Sequence, residues 1–194
     1  MAIRDYMGLD VSAFKRLYKE SKKNNTNMKD RCYWSQQGEN SYYCDGFMII
    51  QFKDTSITQL AKIFDLAYDD MPGENKPAQD LAKIFNSFSP LDYNKAFVSK
   101  WSCEGKKVGK KEPGFTRLIV GEKSYCLINE NFLAPFSGLA LSIKSELTGI
   151  MFRWGFDDAM TAYILPVKPD KESTAIYKAI QEKVMRDMEG MKND

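Results

Sequence analysis

Apolar residues in this chain recur with two different periods, and the switches between them mark out its elements. Val11, Phe14, Leu17 and Tyr18 fall at helical spacing behind Asp10, which predicts a capped amphipathic helix of about 10–15 residues ending in the Asn24–Asn27 run. Residues 31–35 and 41–52 read as strands around a turn at 37–40. Asp45-Gly46 interrupts the second of these, between Tyr42 and Tyr43 on one side and Phe47, Ile49 and Ile50 on the other, and predicts a kink in a hairpin. Thr55 or Ser56 can cap a helix reaching about Leu66, with Leu60, Ile63 and Phe64 on one face. A breaker-rich loop at 69–76 precedes a second helix opened by Pro77, with Leu81, Ile84 and Phe85 apolar.

The remaining sequence is mostly strand. Residues 96–103 and 115–120 flank a loop at 104–114 that sets two Lys-Lys pairs among three glycines and a proline. Then come a strand at 124–129, a short helix from about Glu130, and strands at 139–144, 149–155 and 159–166. The short turns between the last three allow only antiparallel neighbours, so one antiparallel sheet system with the short helix on one face is expected. Lys171-Glu172-Ser173 opens a last helix, in which Ile176, Ile180, Val184 and Met188 are spaced four apart beside Ala175 and Ala179. The fold class is α+β. The expected domains are residues 1–168, with a helical insertion at about 56–88, and a C-terminal amphipathic helix at 169–194.

Composition narrows the chemistry. The 194 residues are 43% hydrophobic and 13% aromatic, which is a globular composition. No apolar run approaches the ~20 residues of a membrane helix, so no membrane partner is expected. Met1-Ala2-Ile3-Arg4-Asp5-Tyr6 has no apolar signal core, and a cytoplasmic location is expected. The chain has no histidine, which removes Ser-His-Asp and Cys-His catalysis and histidine metal sites. Cys32, Cys44, Cys103 and Cys126 form no Cys-x-x-Cys pair and read as reduced, partly buried thiols. Asp69-Asp70 and Asp157-Asp158 lie beside turn residues and read as solvated surface. No glycine-rich phosphate loop or dinucleotide fingerprint is present. Neither a catalytic residue, a metal site nor a cofactor is expected.

Charge is weak overall and unevenly spread. The formal net charge is +2. Residues 15–31 hold Lys15, Arg16, Lys19, Lys22, Lys23, Lys29 and Arg31 against Glu20 and Asp30, a local charge of +5. Residues 100–123 carry a local +4 and residues 54–80 a local −4. Basic segments set apart from an acidic one can form a phosphate-facing surface. Lys19, Lys22, Lys23, Lys106, Lys107, Lys110 and Lys111 are the candidate DNA contacts, weak and blind to sequence.

The order strand, short helix, three strands at 124–166 is a βαβββ unit. With Asn129-Glu130-Asn131-Phe132-Leu133 entering its helix and Leu165-Pro166-Val167-Lys168 closing its last strand, it resembles the end of the bacterial DNA polymerase III beta subunit, the DNA sliding clamp. Asp45-Gly46-Phe47 is similar to an acidic residue in a hairpin of the clamp's first half. The resemblance covers residues 10–54 and 115–168. It implies a DNA-clamp-like domain of two related α+β halves, with basic helices toward DNA. It also implies an apolar groove near Leu165, Pro166 and Val167 that receives partner peptides. A full clamp subunit has three such domains and closes a ring as a dimer, and this chain can supply one. The two helices at 56–88 and the helix after 169 depart from that family.

The expected function is therefore a non-enzymatic, DNA-associated accessory protein resembling a processivity factor, with DNA, a protein partner or a second copy as its partner. The alternative is a protein-binding adaptor or inhibitor, of phage or mobile-element type, without DNA binding. Leu165, Pro166, Val167, Ile176, Ile180 and Val184 are the partner-binding candidates. A final helix of that length must bury its stripe, either on its own sheet or on a partner.

Overall fold

The computed structural model describes residues 5–24, 33–66, 81–88, 93–104, 115–121, 124–137, 139–144, 150–154, 160–167 and 171–190. A two-stranded ribbon, β1 (Asp5–Tyr6) and β2 (Leu9–Asp10), leads into α1 (Val11–Asn24). Asp10 caps that helix, its Oδ1 accepting from the Ala13 amide at 2.8 Å. Next come β3 (Tyr33–Gln37), β4 (Asn40–Cys44), β5 (Met48–Phe52), α2 (Ile57–Phe64) and α3 (Leu81–Asn86). The remaining elements are β6 (Tyr93–Glu104), β7 (Phe115–Gly121), β8 (Tyr125–Asn129), α4 (Glu130–Leu133), β9 (Ala140–Lys144), β10 (Ile150–Trp154), β11 (Met160–Ile164) and α5 (Lys171–Gly190). A 3-10 turn at Ala134–Phe136 continues α4.

Among the described residues, nine strands form one sheet in the order β3-β4-β5-β11-β10-β9-β6-β7-β8, and every pairing is antiparallel. The α+β class and the antiparallel arrangement of the last strands are as the sequence predicts. Strands from both parts of the chain share this sheet. The elements β2-α1-β3-β4-β5 and β8-α4-β9-β10-β11 each read strand, helix, three strands. Their third strands, β5 and β11, pair antiparallel about Ile50 and Ala162. The first strands differ in place: β2 pairs with β1 in the separate ribbon, whereas β8 is the end strand of the large sheet.

The sheet is strongly curled. β8 lies five strand positions from β11, which in a flat sheet is about 24 Å. Yet the Val167 amide, three residues beyond β11, donates to the Leu127 carbonyl of β8 at 2.7 Å. Three residues span at most about 10 Å, so the sheet must bend until its β8 edge meets the segment leaving β11. That closure also occupies a backbone acceptor on an otherwise open edge.

Alternation along the strands divides the core. Tyr43, Met48, Ile50, Phe52, Ile119, Ile128, Leu141, Met160, Ala162 and Ile164 face one side, where α1, α2 and the 3-10 turn supply Phe14, Leu60, Phe64 and Phe136. Phe14 sits at the centre, its ring 4.6 Å from Phe64 and 5.3 Å from Tyr43. On the other side, Tyr42, Ile49 and Tyr163 are covered by Leu81 and Phe85 of α3. Farther along, Leu118, Val120 and Leu127 are covered by α5. Burial on both faces explains why β5 and β11 are buried at every residue.

Two expectations require correction. Asp45-Gly46 produces a full reversal between β4 and β5, not a kink within one strand. The chain can turn there because Gly46 takes φ +86° and the Asp45 carboxylate satisfies the turn amides. The second correction concerns α5. Its contact stripe is Tyr177, Ile180, Val184 and Met185 around buried Gln181, while Ile176 is 61% exposed. The stripe of residues four apart drifts off the contact line because a turn holds 3.6 residues. Pro77, the loop at 69–76, residues 105–114 of the basic loop, Asp157, Asp158 and Cys32 lie outside the described residues.

Candidate functional site

The β4–β5 turn is built around Asp45, which is only 2% exposed. Its Oδ1 accepts from the Phe47 amide at 2.9 Å and the Met48 amide at 2.8 Å, and its Oδ2 accepts from Ser21 Oγ of α1 at 3.2 Å. The carboxylate therefore shapes the turn and ties it to the end of α1. Phe47, at the tip, is 51% exposed and stands 6.0 Å from the ring of Phe132 in α4. Its carbonyl accepts from the Leu165 amide at 2.8 Å. The closure of the sheet thus brings the turn, α4 and the segment after β11 together.

Beside this junction lies a cleft of about 110 Å³, lined by Cys44, Phe47, Ile49, Ile84, Phe88 and Leu165 among others. Phe47, Ile84 and Leu165 are 51%, 41% and 48% exposed, so three large apolar side chains face solvent together. The cleft is smaller than the roughly 300 Å³ at which small-molecule pockets begin, and suits one inserted side chain. Among the described residues, its lining carries no ionised group.

Ionisation of Asp45 is opposed by burial, which pushes its carboxyl above the ordinary 3.8, while bonds from Phe47, Met48 and Ser21 pull it back. The folded state therefore holds the proton more tightly than the unfolded state. The stabilising contribution is complete below 3.8 and is lost as pH rises through the folded value. Asp45→Asn keeps an acceptor oxygen and removes the charge, so its stability relative to the parent should improve as pH rises from about 4 to about 7. Urea melts across that range check this, and a constant difference contradicts it. Asp45→Ala leaves two amides without an acceptor and should cost about 2–4 kcal/mol near pH 4, and less as pH rises toward 7.

The DNA-contact candidates divide by position. Lys19 is exposed on the outer face of α1, next to exposed Arg16. Lys22 and Lys23 lie in the last turn of the same helix. Lys106, Lys107, Lys110 and Lys111 lie outside the described residues. Lys15 pairs with Asp65 at 3.1 Å, a bond joining α1 to the end of α2. Asp65 is highly exposed, so the pair contributes little to stability.

The apolar candidates occupy two places. Leu165, half-buried Pro166 and 40% exposed Val167 form the closing segment. Ile180 and Val184 pack against the sheet, whereas Ile176 lines a separate groove of about 240 Å³ with Trp101 and Tyr177. Phe47, Ile84 and Trp101 are not among the partner-binding candidates read from the sequence. For Phe47 the signal is a large aromatic directly after Asp-Gly. Trp101 is 49% exposed and sits at a register shift of β6 between Val98 and Ser102, which no local motif announces.

Cys126 is buried and its thiol is pushed up to about 12 by burial, while Cys44 is half-buried at the cleft wall. Among the described residues, no helix is long and apolar enough to cross a membrane. Comparison with protein-family models, with curated proteins and with solved structures found no match to this chain.

Proposed function

We propose that this chain is a non-enzymatic, DNA-associated accessory module of sliding-clamp kind. The observation that carries the reading is the doubled strand-helix-three-strand order, with β5 and β11 paired antiparallel where the two units meet. The outer face of α1 adds exposed Arg16 and Lys19, on the helix that the clamp resemblance turns toward DNA. A single module of this size cannot encircle a duplex, so the reading requires assembly. Solution mass with and without duplex DNA tests it. A ring-sized oligomer, or an assembly formed on DNA, is expected; a monomer whose mass is unchanged by DNA contradicts it.

The cleft at Phe47, Ile84 and Leu165 favours a second reading, a protein-binding adaptor. It is solvent-facing and apolar, and it adjoins the Leu165-Pro166-Val167 segment where the resemblance puts a peptide groove. Under that reading the protein stays monomeric, has no affinity for DNA, and loses partner binding in Phe47→Ser.

A further inference from the structure

The groove of about 240 Å³ between β6, β7 and the start of α5 has Trp101, Leu118, Leu127, Ile176 and Tyr177 in its walls. Trp101 is 49% exposed there, and its placement is built into the strand. β6 shifts register between Val98 and Ser102, which takes Trp101 out of the regular ladder. Two side chains hold that irregular backbone. Ser99 Oγ accepts from the Trp101 amide at 3.1 Å, and Arg117 Nη1 donates to the Lys100 carbonyl at 3.1 Å. Arg117 is held in turn by its ion pair with Glu130 of α4. An exposed indole is thus pinned from both sides and faces Ile176 and Tyr177 across an apolar slot.

Size and charge decide what fits. The groove is below the roughly 300 Å³ of a whole small-molecule site, so it suits one flat ring carried on a longer chain. Lys100, next to Trp101, is exposed. The ten residues that join β6 to β7, 105–114, carry four lysines against one glutamate in the sequence. The end of the hairpin that frames the groove is therefore positive, which complements a polyanion. We propose that the groove takes an unpaired base of a single-stranded nucleic acid, stacked on Trp101. A duplex cannot offer such a ring, because its bases are already paired and stacked. The groove lies on the α5 side of the sheet, whereas α1 packs on the other, so the site does not rest on the clamp reading.

The test titrates the intact protein at low salt with a short labelled oligothymidylate and, in parallel, with a duplex of the same length. The single strand should bind and quench tryptophan emission. Trp101→Ala should weaken that binding by about five- to a hundredfold and leave duplex affinity unchanged. Trp101→Phe keeps a smaller ring and should fall between parent and Trp101→Ala. Trp101 is half exposed, so the thermal midpoints of both variants should stay close to that of the parent. No binding of oligothymidylate, or single-strand affinity that Trp101→Ala leaves unchanged, overturns the proposal. An equal loss of single-strand and duplex affinity in Trp101→Ala overturns it as well, because Trp101 would then serve no unpaired base. So does stronger quenching by an acidic peptide with one phenylalanine, which would make the groove a protein-docking site.

Discussion

Phe14→Ala is expected to destabilise the protein by about 3–5 kcal/mol, a large share of the roughly 5–15 kcal/mol that holds a domain folded. Phe14 is fully buried and its ring contacts Tyr18, Trp34, Tyr43 and Phe64. Those partners come from α1, β3, β4 and α2, so one truncation removes packing from four elements at once. The cavity cannot be refilled cheaply, because Tyr43 and Phe64 are themselves held by other rings. Denaturant melts of parent and variant measure the difference. A loss below about 1 kcal/mol would mean that the aromatic cluster is not the centre of the core.

Removing residues 170–194 is expected to lower stability by on the order of 3–6 kcal/mol while leaving the solution mass per assembly unchanged apart from the deleted residues. Leu118, Val120 and Leu127 would lose the cover of Tyr177, Ile180, Val184 and Met185. Two polar ties would go with it, Tyr125 Oη to the Thr174 carbonyl at 3.1 Å and Gln181 Nε2 to the Gly121 carbonyl at 3.4 Å. For a chain of this size the thermal midpoint should fall by roughly 6–24 °C. Thermal melting and sedimentation read the two effects separately. A changed oligomeric state with an unaltered midpoint would instead make α5 an assembly element, as its sequence alone also allows.

Local signals were the legible part of this fold. The caps at Asp10 and Ser56, the apolar faces of α1 and α2, and the short apolar runs of β7, β8 and β11 all depend on neighbours a few residues apart. Gly38, with φ +60° at the first position of a two-residue loop, marks the β3–β4 hairpin in the same way. What sequence could not supply depends on contacts across the chain. The pairing of β5 with β11 joins residues more than a hundred positions apart, and the curl of the sheet follows from where Val167 ends up. The face that α5 presents was misjudged because Ile176 and Tyr177 are both apolar enough to lie inward, and only the position of Leu118, Val120 and Leu127 decides between them.

The candidate sites divide along the same line. Leu165 and Val167 were legible as an apolar end to a strand, but the cleft exists only because Phe47 and Ile84 arrive from distant segments. The Arg117–Glu130 pair spans two adjacent elements and has no sequence motif. Basic residues are visible in any sequence; whether they share a surface is a three-dimensional matter, and on α1 exposed Arg16 and Lys19 do.

Association with DNA is measured most directly by the anisotropy of a labelled duplex titrated with the protein at low and at moderate salt. The predicted result is weak, sequence-independent binding that declines steeply as salt rises, with a shallower salt slope and lower affinity in the Arg16→Glu, Lys19→Glu double variant. No binding at low salt, or binding that neither salt nor the charge reversals alter, would contradict it.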